Sequence, residues 1–412
     1  MRWKQVVPLV AMVAAIAGAA VPLYAQAVQT ATLTGTVKDS TGAVLPGATV
    51  NVSSPSQVGG VQTTVTDSQG VYRFPALHPG VYDLEATLAG FKTVKQSNII
   101  LPLGVTITID VSLAVASVTE TVQVTGASPV VDITSSASNT QLSDAQLQNL
   151  PTGRFQPDII NLTPGINSNV AFGAAQSSNA LLMDGVDVSD PEGGTPWSFF
   201  NYNWVEQVQV VSLGANAEYG EFTGVAANSI IRSGSNKFTG LGEYLMESNK
   251  WVADNTTSLS DALRAQFTPL QIGHWVDTTA QIGGPIQKDK LFFFSGFQYH
   301  DEATRPAGYT GNFTTQKDPR TMNKLTWAVS PSVRAEGFVE WDKYDVAGRG
   351  ASVKRPTTET TALEPSPEVN WNGQITWTIN SKTMLNVRNG GYWGYFPVDP
   401  TPPQTTAGPA PH

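Results

Sequence analysis

LLMDGVDVSDPEGGTPWSFFNYNWVEQVQVVSLGANAEYGEFTGVAANSIIRS, residues 181–233, divides this 412-residue chain into two parts of different character. Two apolar runs, Leu181–Met183 and Val205–Val211, bracket a polar loop, and a Gly-rich segment leads into the run Asn228–Arg232. Short apolar runs bounded by Gly, Asp, Pro and Asn read as buried strands joined by turns. The residues before this stretch carry the marks of export. Those after it form a series of amphipathic strands.

From Lys237 onward, segments of about ten residues alternate between apolar and polar side chains. Leu325, Trp327 and Val329 face one way, with Lys324, Thr326 and Ser330 opposite. Val333, Ala335, Gly337, Val339 and Trp341 alternate with Arg334, Glu336, Phe338, Glu340 and Asp342. Trp371, Ile375, Trp377 and Ile379 oppose Asn372, Gln374, Thr376 and Asn380. One apolar face with aromatic ends and one polar face is the pattern of a transmembrane β-strand. A soluble sandwich is the alternative, but the charges inside these runs suit a watery lumen. Residues 181–233 are then expected to be the centre of a plug, residues 127–236, that closes a membrane β-barrel begun by residues 237–412. Plug-bearing barrels have about 22 strands, whereas about seven fit after Lys237 at ten residues each. The chain ends in PVDPTPPQTTAGPAPH, unlike a final strand. A C-terminally incomplete barrel, and hence a fragment, is expected.

Ahead of the plug, Arg2 and Lys4, the apolar run Val6–Ala20 and the small-x-small site Ala25-Gln26-Ala27 make residues 1–27 a secretory signal peptide. Residues 28–115 read as a small β-sandwich. Candidate strands are Thr32–Val37, Ala48–Val52, Thr63–Thr66, Val71–Phe74, Tyr82–Leu88 and Thr106–Leu113, with turns at Asp39–Gly42, Pro46-Gly47, Asp67–Gly70 and Pro79-Gly80. Residues 116–126 read as a linker. In the plug, Gln141–Leu150 has the apolar spacing of a short helix, with Ser143-Asp144 as its cap.

Composition narrows the function. There are no cysteines, so no disulfide or thiolate metal site forms. Charged residues are 14% of the chain, 24 basic against 33 acidic, for a net charge of −9. That balance argues against nucleic acid as a partner. No HExxH occurs, and Val81, Asp277 and Ala303 stand three after His78, His274 and His300, so a zinc ligand set is missing and the histidines are read as structural or surface residues. The acidic group Asp184, Asp187, Asp190 and Glu192 lacks the glycine and terminal Glu of a calcium loop and reads as a solvated loop. No phosphate loop, nucleophile elbow or acid/base pair appears. No enzyme activity, cofactor or metal is expected.

Two resemblances follow from these residues. GTVKDSTGAVLPGATVNV and TVTDSQGVYRFPALHPGVYDLEATLAGF, with Gly70, Tyr72, Phe74, Leu77, Pro79-Gly80, Tyr82 and Gly90-Phe91, resemble the carboxypeptidase-regulatory-like domain. That resemblance implies a prealbumin-like or carbohydrate-binding-like sandwich. Leu150-Pro151, Arg154, Leu162–Gly165, Met183–Val186, Val205–Val208, Glu218-Tyr219-Gly220 and Ile230–Ser233, followed by GGPIQKDKLFFFSGFQYH, resemble the plug and barrel start of Oar-like TonB-dependent outer-membrane receptors. One departure is VAANS at Val225–Ser229, where relatives often show a Gly-Val-Ile-Asn run. The fold class implied is mainly β: a sandwich, an α+β plug and a partial antiparallel transmembrane barrel.

The resemblance also implies roles. Glu120, Thr121, Val122, Gln123 and Val124 resemble a TonB box, an extended segment that adds to the edge of a partner's sheet. The other reading of Thr121–Val124 is a plain edge strand. The partner implied is a TonB-type inner-membrane energy-transducing protein, with outer-membrane lipid around the barrel and the sandwich in the periplasm. Asp184, Gly185, Glu206, Glu218, Tyr219 and Gly220 are the plug's marks. The aromatic loop with Trp197, Phe199, Phe200, Tyr202 and Trp204 is either a ligand surface, since rings stack on sugars and flat ligands, or packing against the barrel wall. A nutrient ligand (glycan, peptide or chelated metal) is expected. The alternative function is a surface carbohydrate-binding, adhesin-like outer-membrane protein.

Overall fold

The computed structural model describes residues 30–401 apart from 55–59, 117–120, 125–138, 150–158, 168–169, 190–198, 213–221, 254–257, 265–268, 353, 356 and 381–382. The expected leader lies outside the described residues. The chain is mainly β, as its sequence pattern implies.

The sandwich has two sheets. In the first, β1 (Ala31–Asp39) pairs antiparallel with β4 (Val71–Leu77) and parallel with both β7 (Thr106–Thr108) and β8 (Val111–Leu113). The second has the order β3 (Gln62–Val65), β2 (Thr49–Ser53), β5 (Gly80–Thr87), β6 (Thr93–Leu101), β9 (Thr121–Val124). Inward positions on both sheets, among them Leu33, Val37, Val50, Val52, Tyr82, Leu84 and Ile99, meet in one core from which water is excluded. Burying each such side chain stabilises by about 1.5–3 kcal/mol.

Two features of the sandwich differ from the sequence expectation. Thr106–Leu113 is not one strand but two, broken at Ile109-Asp110. There the chain crosses close over Gly35, where a Cβ would stand 1.8 Å from the Ile109 carbonyl oxygen. The Tyr72 hydroxyl donates to that same carbonyl at 2.6 Å. The second is β6, which sequence reasoning did not find. Its middle is polar, Asn98 sits at φ 62°, and its pairing with β5 slips between Tyr82 and Leu84, so the apolar alternation is interrupted.

The plug is built on a sheet ordered β10 (Asn139–Ser143), β15 (Val205–Val211), β16 (Ala226–Ile231), β13 (Ala180–Met183), β14 (Val186–Asp187), beside a small ribbon of β11 (Ile166-Asn167) and β12 (Val170-Ala171). β16 is buried along its whole length, although VAANS departs from the family pattern. The expected helix Gln141–Leu150 is shorter. Gln141 and Leu142 pair with Gln209 and Val208 as strand, and the described helix is Asp144–Asn149. Ser143 sits at the break, and the Gln146 side chain reaches back to accept from its amide at 2.9 Å, the reciprocal half of a capping box. Tertiary pairing overrode helical spacing at the first three residues.

The wall is one antiparallel sheet, β17 (Thr239–Glu247), β18 (Gln271–Gln287), β19 (Leu291–Arg305), β20 (Thr314–Ser330), β21 (Val333–Arg349), β22 (Ala362–Asn380) and β23 (Thr383–Gly394), with the two-residue β24 (Asp399-Pro400) on β22. Its turns at 288–290 and 331–332 are short, and the stretches between strands at 248–270, 306–313 and 350–361 are longer. Transmembrane barrels gather short turns at one end and long connections at the other, and the wall shows the same two ends. β18 to β22 run 15 to 19 residues, more than the roughly 9–11 that cross a bilayer.

The two faces of this wall are inverted relative to a soluble protein. Trp327, Val339 and Ile379 point outward and are 50%, 51% and 47% exposed, whereas Lys324, Glu340 and Asp342 point inward and are 3%, 0% and 1% exposed. An exposed apolar face over a buried charged one is unfavourable in water. Against lipid outside and a polar plug inside, the same arrangement is favourable.

Candidate functional site

The plug leans on the inner face of the wall, and its anchors converge on Asp184-Gly185. These residues are the two-residue loop between β13 and β14, with Met183 opposite Val186. Both have positive φ, 46° and 73°. That is the geometry a tight hairpin demands and Asp-Gly supplies. Asp184 is buried, not in a solvated loop as its sequence neighbours suggested. Its carboxylate accepts from the Lys324 ammonium at 2.7 Å and from the Ile231 amide at 3.0 Å. Lys324 also donates to the Ile231 carbonyl at 2.8 Å. The Asn372 side chain donates to the Asp184 carbonyl at 3.2 Å, the Arg388 guanidinium to the Gly185 carbonyl at 3.3 Å, and the Gly185 amide to Asn228 at 3.0 Å. Three wall strands, β20, β22 and β23, thus grip one plug turn. Burial pushes the Asp184 carboxyl above its ordinary range, against the pull of Lys324.

The aromatic segment is the second contact. Phe200, Tyr202 and Trp204 are buried. Trp204 lies over Gly296 of β19, where a Cβ would come within 2.4 Å of the indole nitrogen. Phe199 stacks on Tyr344 of β21 with ring centroids 5.3 Å apart. Phe294, Met322 and Phe338 from the wall join Trp204, Val208 and Ile231 of the plug in one apolar cluster. Trp197 lies outside the described residues, as do Asp190, Glu192, Glu218, Tyr219 and Gly220.

At the plug's end, Arg232 forms an ion pair with Asp144, the first residue of the short helix. It also donates to the Asn203 carbonyl at 2.7 Å. Glu206 is half-buried beside this pair. Together they line a cavity of about 450 Å³ between plug and wall.

Thr121–Val124 is the last strand of the second sandwich sheet, parallel to Thr93–Gln96 of β6. Glu120 lies outside the described residues. The segment is therefore extended, and one of its edges is already paired. Sequence reasoning had no β6 and so had no partner to offer it.

The sandwich docks on plug and wall. The Leu103 carbonyl accepts the side-chain amides of Gln141 at 2.9 Å and Gln209 at 3.1 Å. His78 is buried against the short-turn end of β21, its Nε2 3.6 Å from a Glu336 carboxylate oxygen. Desolvation, reinforced by Arg334, pushes the His78 imidazole down to about 3 despite Glu336. The unfolded imidazole titrates near 6.5. A histidine whose folded value is depressed loses stability as pH falls through the unfolded value. Going from pH 7 to pH 5 should cost about 2 kcal/mol at this site. The urea midpoint for protection of the Tyr82–Leu84 amides should fall over that range. It should stay level in His78→Gln.

His274 and His300 are on the wall, and His412 lies outside the described residues. His274 contacts Asp301 at 2.9 Å, and His300 lies 3.6 Å from Asp277 and 3.5 Å from Glu302. Among the described residues no three His, Asp or Glu side chains converge as a metal site.

Residues 32–114 match the carboxypeptidase regulatory-like domain family. Over 371 residues, 85% of this chain, the sequence is 30% identical to the TonB-dependent transporter Oar of Myxococcus xanthus. The alignment takes in 32% of that protein, so the chain spans about a third of its relative's length. Solved structures resembling the chain include the outer membrane transporter YddB of Escherichia coli, with a TM-score of 0.48 and 14% identity over 63% of this chain and 39% of that one. The siderophore receptor PirA of Pseudomonas aeruginosa matches with a TM-score of 0.46 and 15% identity over 63% and 41%. The alcaligin outer membrane receptor FauA of Bordetella pertussis matches with 0.44 and 13% over 66% and 40%.

Proposed function

We propose that this chain, a sequence relative of a TonB-dependent transporter, acts as part of an outer-membrane receptor. The receptor takes a nutrient ligand from the cell surface and imports it at the expense of inner-membrane energy. The observation that carries the reading is the inverted wall with its plug. The lipid-compatible face is outside, the charged face is inside, and the plug is held to that charged face through Asp184, Lys324, Asn372 and Arg388.

In this reading the work is mechanical, and no covalent step occurs on the protein. The energy-transducing partner engages Thr121–Val124 by adding a strand to it. Force on that segment passes into the plug and is resisted by the Asp184-Gly185 anchor. The sandwich sits in the periplasm, at the short-turn end of the wall where His78 meets Glu336, and so presents β9 on the side from which a periplasmic partner arrives.

The chain has no cysteine of its own, so a single one introduced by Gln123→Cys reports on contacts at β9 alone. Alkylated with a thiol-reactive photo-cross-linker, in outer membranes of energised cells it should capture a TonB-type periplasmic protein on illumination and lose that product when the proton gradient is collapsed. A receptor that binds ligand yet gives no cross-link would instead support a surface adhesin.

A further inference from the structure

The turn after β6 seats the sandwich on the plug. Leu103 is fully buried, and Gly104 has φ 67°. The sandwich fixes this turn from within, because the Gly104 amide donates to the Thr30 carbonyl at 3.2 Å and the Thr32 amide to the Val105 carbonyl at 3.0 Å. The Leu103 carbonyl takes the side-chain amides of both Gln141 and Gln209. Those two residues are direct cross-strand partners, one on β10 and one on β15. The Gln207 side chain of β15 also donates to Gln141, at 2.8 Å. Gly104 comes so near that a Cβ would stand 2.9 Å from the Gln209 side-chain nitrogen. One carbonyl of the sandwich thus ties together two neighbouring strands of the plug. β10 is the edge of the plug sheet, paired with β15 alone among the described residues. It is also the plug strand that residues 125–138 join to β9.

We propose that the Leu103-Gly104 turn is a staple, which keeps β10 on β15 while the sandwich is docked and is removed when β9 is drawn away. The inference rests on the receptor reading above and supplies its first mechanical step. β9 lies along β6, and β6 ends at Leu101, just before the carbonyl that holds the glutamines. A pull on β9 therefore loads β6 and then the dock. β6 is paired with β5 and shares the sandwich core, so the sandwich leaves as a unit. On the wall it comes away from Glu336, which faces His78, and from Ser330, Pro331 and Ser332, which line a cavity of about 40 Å³ with Gln62 and Ala76. While the sandwich is docked, separating β10 from β15 breaks a bond to Leu103 as well as the ladder. Once it has left, the main-chain ladder and the Gln207–Gln141 bond resist, and an edge strand held on one side opens from its end.

The test is hydrogen exchange on the complete receptor in detergent, reading the amides of β10 with β1 and β16 as references. Gly104→Asn acts from the sandwich side only. Asparagine tolerates a positive φ, and its side chain meets Gln209. Gly42→Asn is the control, at a turn with φ 91° where an added Cβ meets nothing within 4 Å. Gln141→Leu combined with Gln209→Leu removes both donors from the plug side. Gly104→Asn and the double variant should each speed β10 exchange at least tenfold while β16 stays slow, and Gly42→Asn should change neither. If Gly104→Asn unfolds the sandwich, seen as fast exchange in β1, the staple is lost all the same and β10 must still speed up. Unchanged β10 exchange in Gly104→Asn or in the double variant, equal acceleration of β16, or the same effect from Gly42→Asn would overturn the inference. Release is read in cells with Thr140→Cys as the sole cysteine. Its labelling by a maleimide should rise at least threefold when the membrane is energised, and should be high with or without energy once Gly104→Asn is added. Labelling that ignores the gradient without Gly104→Asn would overturn the release step. The Gln123→Cys cross-link separates the two ideas. If it forms and β10 does not respond, the staple fails and the receptor reading stands. If it does not form, the receptor reading fails whatever β10 does.

Discussion

Lys324→Met should loosen the plug from its wall far more than any exposed substitution does. The ammonium is 3% exposed, its partner Asp184 is equally buried, and one atom, Nζ, serves both Asp184 and the Ile231 carbonyl. Removing the cation leaves a carboxylate in a site that already pushes its pKa upward through burial. Breaking one side of such a pair costs about 3–5 kcal/mol. Hydrogen exchange of the Leu181–Val188 amides is a direct readout, because these residues open with the hairpin. A loss of about 3 kcal/mol is a rate increase of more than a hundredfold. Exchange as slow as in the unsubstituted protein would show that Asn372 and Arg388 hold the turn unaided.

The double variant Asp184→Asn with Lys324→Met discriminates further. Desolvation is the largest influence on Asp184, so the pair returns little net stability and removing both charges should restore much of what the single change loses. If it does, the ion pair's role is to fix where the plug sits. The position of the pair supports that role, because it joins residues far apart in sequence and so selects a single docking of plug on wall.

These anchors explain what was legible in the sequence. Alternation along β20, β21 and β22 announced the inward and outward faces residue by residue, because a strand's period of two is set locally. Asp184-Gly185 was visible as a motif, and its Asp-Gly hairpin chemistry was there to be read between Met183 and Val186. The burial of Asp184 was not visible, since it depends on Lys324, Asn372 and Arg388, which arrive from distant strands. Asp187, in β14, is exposed as the solvated-loop reading expects, so the departure is confined to Asp184. Phe200, Tyr202 and Trp204 looked exposed because their cover is the wall, Gly296 in particular.

Val122→Pro should abolish the cross-link at Gln123→Cys while leaving the receptor in the outer membrane. Proline removes the one amide at position 122 and, within a strand, is tolerated only where no ladder bond is needed. β9 is held to β6 by four residue pairs, from Thr93 with Thr121 to Gln96 with Val124. It is an edge strand, and a partner adding to its other side would make main-chain bonds of the same kind. A strand of four residues has few other main-chain bonds to compensate for a lost one. The expected result is a cross-link yield at least tenfold lower, with the urea midpoint of the sandwich core around Leu33, Val50 and Tyr82 hardly moved. Val122→Ala makes the necessary comparison, because it keeps the amide and alters only the side chain. If both variants lose the cross-link equally, the partner reads side chains rather than an extended main chain. If neither loses it, β9 is only the edge strand of the sandwich and the partner grips the chain elsewhere.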